Sequence, residues 1–132
     1  MVLSKDAFKT KVVGFISQKK QGQIGEDLAA EYLLKNGYTI KSKNWRYHPY
    51  EIDLIAQKQG VYIFVEVKLR ENNDLIALWE TVSKGQQQRV VSAAHEYLLM
   101  NDLDCESRFD IIGIKITLGK IAVEHYKDAF YA

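Results

Sequence analysis

The chain has 132 residues, of which 47% are hydrophobic and 27% charged, and its formal net charge is +1. That length suits one domain, and the composition excludes a disordered or collagen-like chain. The lone cysteine, Cys105, excludes a disulfide framework and a cysteine zinc cluster, reads as a structural thiol, and suits a reducing cytoplasm.

Residues 1–20 read as a basic N-terminal extension, and residues 21–132 as a single domain. Lys9, Lys11, Lys19 and Lys20 suit either a nucleic-acid arm or a disordered terminus. The apolar centre of this segment, Val12 to Ile16, falls short of the roughly 7–15 residues of a secretory core. No apolar run nears the roughly 20 residues that span a bilayer. The expectation is a soluble, cytoplasmic protein with no membrane partner.

From Gly22 to Asn36 the periodicity predicts a helix with Ile24, Leu28, Tyr32 and Leu33 on one stripe, closed by Gly37 at the C-cap. Strands are expected over Tyr38–Arg46, Glu51–Gln57 and Val61–Lys68, the last two joined by a turn at Lys58-Gln59-Gly60. Asn72 to Asp74 reads as a polar loop, and Glu80 to Met100 as a second helix. Its apolar face is supplied mostly by Val82, Val90, Ala94, Tyr97 and Leu98. Arg108–Thr117 is a β-branched strand, and Leu118-Gly119 turns the chain into a last strand, Lys120–Tyr126. The order αβββαββ predicts an α/β fold with a central mixed β-sheet flanked by helices.

Charge is unevenly spread. Residues 1–50 carry nine Lys/Arg against four Asp/Glu, and residues 51–132 carry nine against thirteen. A basic front half could meet a polyanion while the acidic remainder holds cations; scattered, solvated charges explain the counts equally well.

The middle hairpin is the most specific feature. With Gln59-Gly60 as a two-residue turn, Asp53 falls opposite Glu66 and Glu51 opposite Lys68. Strand alternation then places Glu51, Asp53, Glu66 and Lys68 on one face, and Ile52, Leu54, Ile63, Val65 and Val67 on the other. Opposed carboxylates have Cβ atoms about 4.5–5.5 Å apart, which destabilises a sheet unless a cation or a proton intervenes. Hard, closely spaced oxygens suit Mg²⁺ or Mn²⁺. An ion on Asp53 and Glu66 could activate water, and Lys68 could orient that water or stabilise developing negative charge. A solvated strand face with compensating charges is the plainer alternative. Glu26 and Asp27, near the start of the first helix, are candidate third ligands.

Asp53 followed by Glu66-Val67-Lys68 resembles the PD-(D/E)xK nuclease superfamily, and its YraN-like branch of small bacterial proteins in particular. The similarity runs from about Gly22 to Phe130. It is carried by Gly25-Glu26-Asp27-Leu28-Ala29-Ala30-Glu31-Tyr32-Leu33, Gly37-Tyr38, Asn44-Trp45-Arg46, Glu51-Ile52-Asp53-Leu54-Ile55-Ala56, Phe64-Val65-Glu66-Val67-Lys68-Leu69-Arg70, Arg108-Phe109-Asp110-Ile111-Ile112 and His125-Tyr126-Lys127-Asp128-Ala129-Phe130. One departure is Tyr50, where the family usually has Gly before the Glu-Ile-Asp run.

The resemblance implies a restriction-endonuclease-like core and kinship with archaeal Holliday-junction resolvases. On that footing Glu26, Asp53 and Glu66 would bind Mg²⁺ (or Mn²⁺) and Lys68 would be the catalytic lysine, with Glu51 an added member of the site face. The implied activity is metal-dependent endonucleolytic hydrolysis of DNA phosphodiesters, on branched or damaged DNA by analogy with the resolvases. The alternative is a non-catalytic nucleic-acid-binding module with a nuclease-like fold. Kinship with the resolvases also implies a homodimer.

Other residues leave choices open. Arg46, Arg70 and Lys84 are candidate phosphate contacts, or else surface ion pairs and a solvated helix face. Trp45, Tyr47 and Tyr50 interleave with Arg46 and His48; such aromatics pack a sheet edge, stack on unpaired bases, or dock a protein partner. His48, His95 and His125 lack mutual ligand spacing and read as structural or solvent-facing, and Asp110 as structural.

Overall fold

The structure, a computed structural model, describes residues 2–3, 18–71 and 82–132. Its elements are strand β1 (Val2–Leu3), helix α1 (Gln18–Lys35), strands β2 (Thr39–Tyr47), β3 (Tyr50–Lys58) and β4 (Val61–Glu71), helix α2 (Lys84–Met100), and strands β5 (Ser107–Thr117) and β6 (Lys120–Phe130). From α1 onward the order is αβββαββ. One sheet runs β1-β6-β5-β4-β3-β2. Its β4–β5 pair is parallel and the rest antiparallel, so the sheet is mixed. Parallel neighbours need a crossover, and α2 lies within the segment that makes it.

Several boundaries differ from the sequence reading. Two residues assigned to the extension, Val2 and Leu3, pair with Ala122 and Ile121 at the sheet edge. Helix α1 starts at Gln18 rather than Gly22. Helix α2 starts at Lys84 rather than Glu80, because Ser83 is extended and its side chain caps the helix by accepting the Gln86 N–H. The last strand runs on to Phe130. The loop at 72–74, the expected helix start at 80–81, and Lys9 and Lys11 of the basic arm lie outside the described residues.

The expected turns are present. Gly37, at φ +86°, follows the end of α1, and Gln59 and Gly60 both take positive φ between Lys58 and Val61, which pair. Positive φ at both central residues matches the right-handed twist of a hairpin, and glycine adopts it without a Cβ penalty.

The two helices cover opposite faces of the sheet. Leu28, Ala29, Ala30 and Leu33 of α1 pack on Leu54, Ala56, Ile63, Val65, Ile112, Ile114, Ile116, Ile121 and Val123. Val90, Ala93, Ala94 and Tyr97 of α2 pack on Ile52, Ile55, Tyr62, Phe64, Phe109, Ile111 and Phe130. Neighbouring strand residues such as Ile111 and Ile112 thus serve opposite layers, and the central strands are β-branched and buried on both sides.

The α1 face also holds a polar network. Asp110 is fully buried. It accepts two hydrogen bonds from Arg108, each 2.8 Å, one from His125 Nε2 at 2.7 Å and one from the Asp128 backbone at 3.0 Å. Burial alone would raise its pKa, but the hydrogen bonds from His125 and Arg108 outweigh it and hold the carboxyl below its usual value. An ionised Asp110 only accepts, so His125 Nε2 donates to it, and His125 Nδ1 is hydrogen-bonded with the Tyr32 hydroxyl at 2.9 Å. Arg108 also donates to the Tyr38 hydroxyl at 3.1 Å. The network ties α1, β5 and the C-terminal end of β6 together, so the structural readings of Asp110 and His125 hold. Asp110→Ala should destabilise the protein by about 3 kcal/mol, since it strands a partly buried guanidinium, and urea unfolding measures the loss.

Candidate functional site

The β3–β4 ladder holds the expected register from Lys58↔Val61 to Leu54↔Val65 and stops there. Asp53 and Glu66 are therefore not a ladder pair, contrary to the sequence expectation. The Asp53 carboxylate instead accepts the Val67 backbone N–H at 2.9 Å. Beyond this point β3 stays with β2, and β4 stays with β5 out to Glu71.

Ile52 also departs from expectation. It packs with Ile55 beneath α2, whereas Leu54 packs beneath α1. On β2, Lys43 pairs with Leu54 and Trp45 with Ile52, and the intervening Asn44 takes φ +50°. The left-handed residue breaks the pleat beside Asp53, so alternation resumes out of phase.

A cleft of about 430 Å³ opens where the strands part. Glu26 comes to it from α1, Glu51 and Asp53 from β3, Glu66 and Lys68 from β4, and Gln86 and Arg89 from α2. Gly25 lets α1 come close: a Cβ there would stand 3.4 Å from the Leu69 Cβ and 3.7 Å from Val67 Cγ1. This seats Glu26 over the end of β4. Asp27, the neighbouring candidate, points elsewhere and pairs with Lys43 at 3.3 Å.

The carboxylates crowd one another. Glu66 is 6% exposed, and with Asp110 it is one of two buried charged side chains among the described residues. Burial, a hydrogen bond with Asp53, and the charges of Asp53 and Glu51 push its pKa up to about 9, against the pull of Lys68. Burial and the Asp53 charge push Glu26 up to about 7, against a hydrogen bond with Asn44. Lys68 Nζ reaches Gln86 Oε1 at 3.5 Å.

Among the described residues, no three His, Cys, Asp or Glu side chains are gathered tightly enough to form a ready ligand sphere. The hydrogen-bonded Asp53–Glu66 pair, with Glu26 and Glu51 in its field, is nevertheless a hard-oxygen donor set. Mg²⁺ commonly takes one or two carboxylates and keeps its waters, so these residues fit that ion.

The three proposed phosphate contacts stand outside the cleft lining. Arg46 lies 3.8 Å from Glu51 and so stands near the rim. Arg70 bonds the Leu69 carbonyl at 3.1 Å. Lys84 lines a different groove, beside Gln87, Gln88 and Tyr131. The cations within the cleft are Lys68 and Arg89. Arg89 and Gln86 were legible in helical spacing: Gln86 continues the buried stripe Val90, Ala93, Ala94 and Tyr97 by one turn, while Lys84 lies off it.

The model of the uncharacterised protein family UPF0102 matches residues 25–114, which include every cleft residue from Gly25 to Val90. The chain belongs to the UPF0102 family. A UPF0102 protein of Flavobacterium psychrophilum is 44% identical over 110 residues, covering 83% of this chain and 92% of the relative. One from Bacteroides fragilis is 39% identical over 110 residues, covering 83% and 91%. A structure of SfsA from Pyrococcus furiosus in complex with Ca²⁺ aligns with a TM-score of 0.35 at 15% identity, over 85% of this chain and 64% of that one.

In this UPF0102 chain the raised carboxyls make the metal-free fold pH-sensitive. An acid whose folded pKa is raised stabilises fully below its ordinary value of 4.5, and loses that contribution as pH climbs through 7 for Glu26 and 9 for Glu66. Thermal melts in chelator should therefore show Tm falling between about pH 5 and 9. Glu66→Gln, which cannot ionise, should flatten the slope and raise Tm at pH 8 by roughly 3–6 °C.

Proposed function

We propose that this UPF0102 protein is a Mg²⁺-dependent endonuclease of the PD-(D/E)xK type, with a restriction-endonuclease-like core, hydrolysing DNA phosphodiesters in the cytoplasm. The observation that carries the reading is the meeting of Asp53, Glu66 and Lys68 in one open cleft, with the helix residue Glu26 on its wall. Hydrolysis of a phosphodiester needs a positioned water and relief of negative charge at phosphorus. Mg²⁺, when bound, would supply Lewis-acid polarisation of the phosphate.

The chain's own residues divide the remaining work. Asp53 is held by the Val67 N–H, which fixes its carboxylate without a flexible rotamer search. Burial and the neighbouring Asp53 favour the protonated form of Glu66, and its carboxylate would hold the ion together with Asp53 and Glu26. Lys68, near Gln86, directs its ammonium into the cleft to hold a phosphate oxygen and the attacking water. Arg89 adds a second positive group on the α2 wall. Kinship with the junction resolvases favours a branched substrate and a homodimer, since paired cuts on two strands call for two sites.

The test uses labelled duplex, single-stranded, flap and four-way-junction DNA with Mg²⁺, Mn²⁺ or EDTA. Cutting should require the divalent ion, and Asp53→Ala and Lys68→Ala should each slow it by about 10²-fold or more. Binding without cutting, under all these conditions, would instead identify a non-catalytic nucleic-acid-binding module. Because Glu66 and Glu26 both favour their protonated forms without the ion, calorimetric titration with Mg²⁺ near pH 7 should show heats that change with buffer ionisation enthalpy, and Glu66→Gln should reduce that dependence, leaving the part due to Glu26.

A further inference from the structure

We infer that the β2–β3 turn carries a stacking ledge for an unpaired base, so that the cleft takes a nucleic-acid strand with at least one unpaired base beside the phosphate it holds. This names the substrate class of the site just described and rests on that reading.

Trp45 and Tyr47 are stacked, with ring planes 6° apart and centroids 6.2 Å apart. The inner ring is anchored: Trp45 meets Tyr97 of α2 edge-on at 5.4 Å and packs against the α2-side core. The outer ring is only partly covered. Tyr47 is 42% exposed. Packing of the sheet edge thus accounts for Trp45 and leaves Tyr47 unexplained. The other exposed large apolar residues among those described are Leu34, Leu99, Met100, Leu118 and Tyr131, and none stands in the turn that borders the cleft.

Position supplies the second half of the inference. Tyr47 pairs with Tyr50 to close the two-residue turn His48-Pro49. Pro49 and Glu51 line the cleft. Pro49 is two positions beyond Tyr47, a span of at most about 7 Å. A strand whose phosphate lies between Lys68 and Arg89 therefore passes this turn. In a duplex each base is covered on both faces by its neighbours, whereas an unpaired base has a free π-face that an aromatic ring can cover. A ring already fixed by Trp45 loses little freedom on contact.

The test is fluorescence anisotropy of labelled oligothymidylate and of a labelled hairpin duplex, in Ca²⁺ and in EDTA, over a salt series. Tyr47→Ala should weaken single-strand binding by roughly five- to a hundredfold. It should change duplex binding by less than about twofold, and Tyr47→Phe should retain the wild-type pattern. Circular dichroism melts establish that Tyr47→Ala is folded. Equal losses on both DNAs, or no loss on either, would overturn the ledge. If wild-type protein still cuts DNA with Mg²⁺ and Lys68→Ala does not, the nuclease reading survives that result. Wild-type protein that neither binds nor cuts any of the DNAs would overturn both.

Discussion

One hydrogen bond organises this molecule. Where β3 and β4 would otherwise continue their ladder, the Asp53 carboxylate takes the Val67 N–H. A backbone donor that loses its cross-strand carbonyl must find another partner, and a short acidic side chain provides it without leaving the strand. The strands can then part without stranding a buried N–H. The gap becomes the floor of the cleft, and one acidic group is fixed there by main-chain geometry.

The rest of the site is arranged around that gap. Helix α1 comes close because Gly25 has no side chain to hold it off Leu69 and Val67, and it brings Glu26. Helix α2 lies on the opposite face, capped at Ser83, and brings Gln86 one turn, and Arg89 one residue, before its buried stripe begins. The resulting company of acids is unfavourable by itself. Burial and mutual repulsion lift the pKa values of Glu66 and Glu26, so protons stand in for positive charge when no cation is present. Carboxyls perturbed by burial and by one another in a cleft mark a candidate functional site.

The Asp110 network shows the opposite solution to burying an acid. Asp110 is as deeply buried as any residue, yet four hydrogen bonds reach it and a guanidinium neutralises it. Its pKa falls where that of Glu66 rises. The contrast lies in the partners: a guanidinium and an imidazole N–H in one place, and another carboxylate in the other. One acid is a fastener between helix and strands, and the other is left under-compensated in an open cleft.

Much of this was legible from residue order. Period-2 and period-3.6 patterns, with Gly37 and the Gln59-Gly60 turn, set both helices, five of the six strands and the register of the hairpin as far as Leu54↔Val65. Alternation put Glu51, Asp53, Glu66 and Lys68 on one face, and only the family resemblance chose Glu26 over Asp27. Alternation could not foresee the break at Asn44 and Asp53, because a left-handed residue in a neighbouring strand leaves no periodic trace; hence Ile52 changed layers. Strand alternation is also silent on Arg89 and Lys84; the signal that separates them is the helical stripe of Val90, Ala93, Ala94 and Tyr97. The sequence by itself determined the elements, their order and the chemistry of the central acids and lysine, because these follow from local periodicity and residue type. Only the tertiary structure decided that the strands part at Asp53, which helix residues close the cleft, and that Tyr47 stands exposed beside it. Those outcomes depend on packing between segments far apart in the chain.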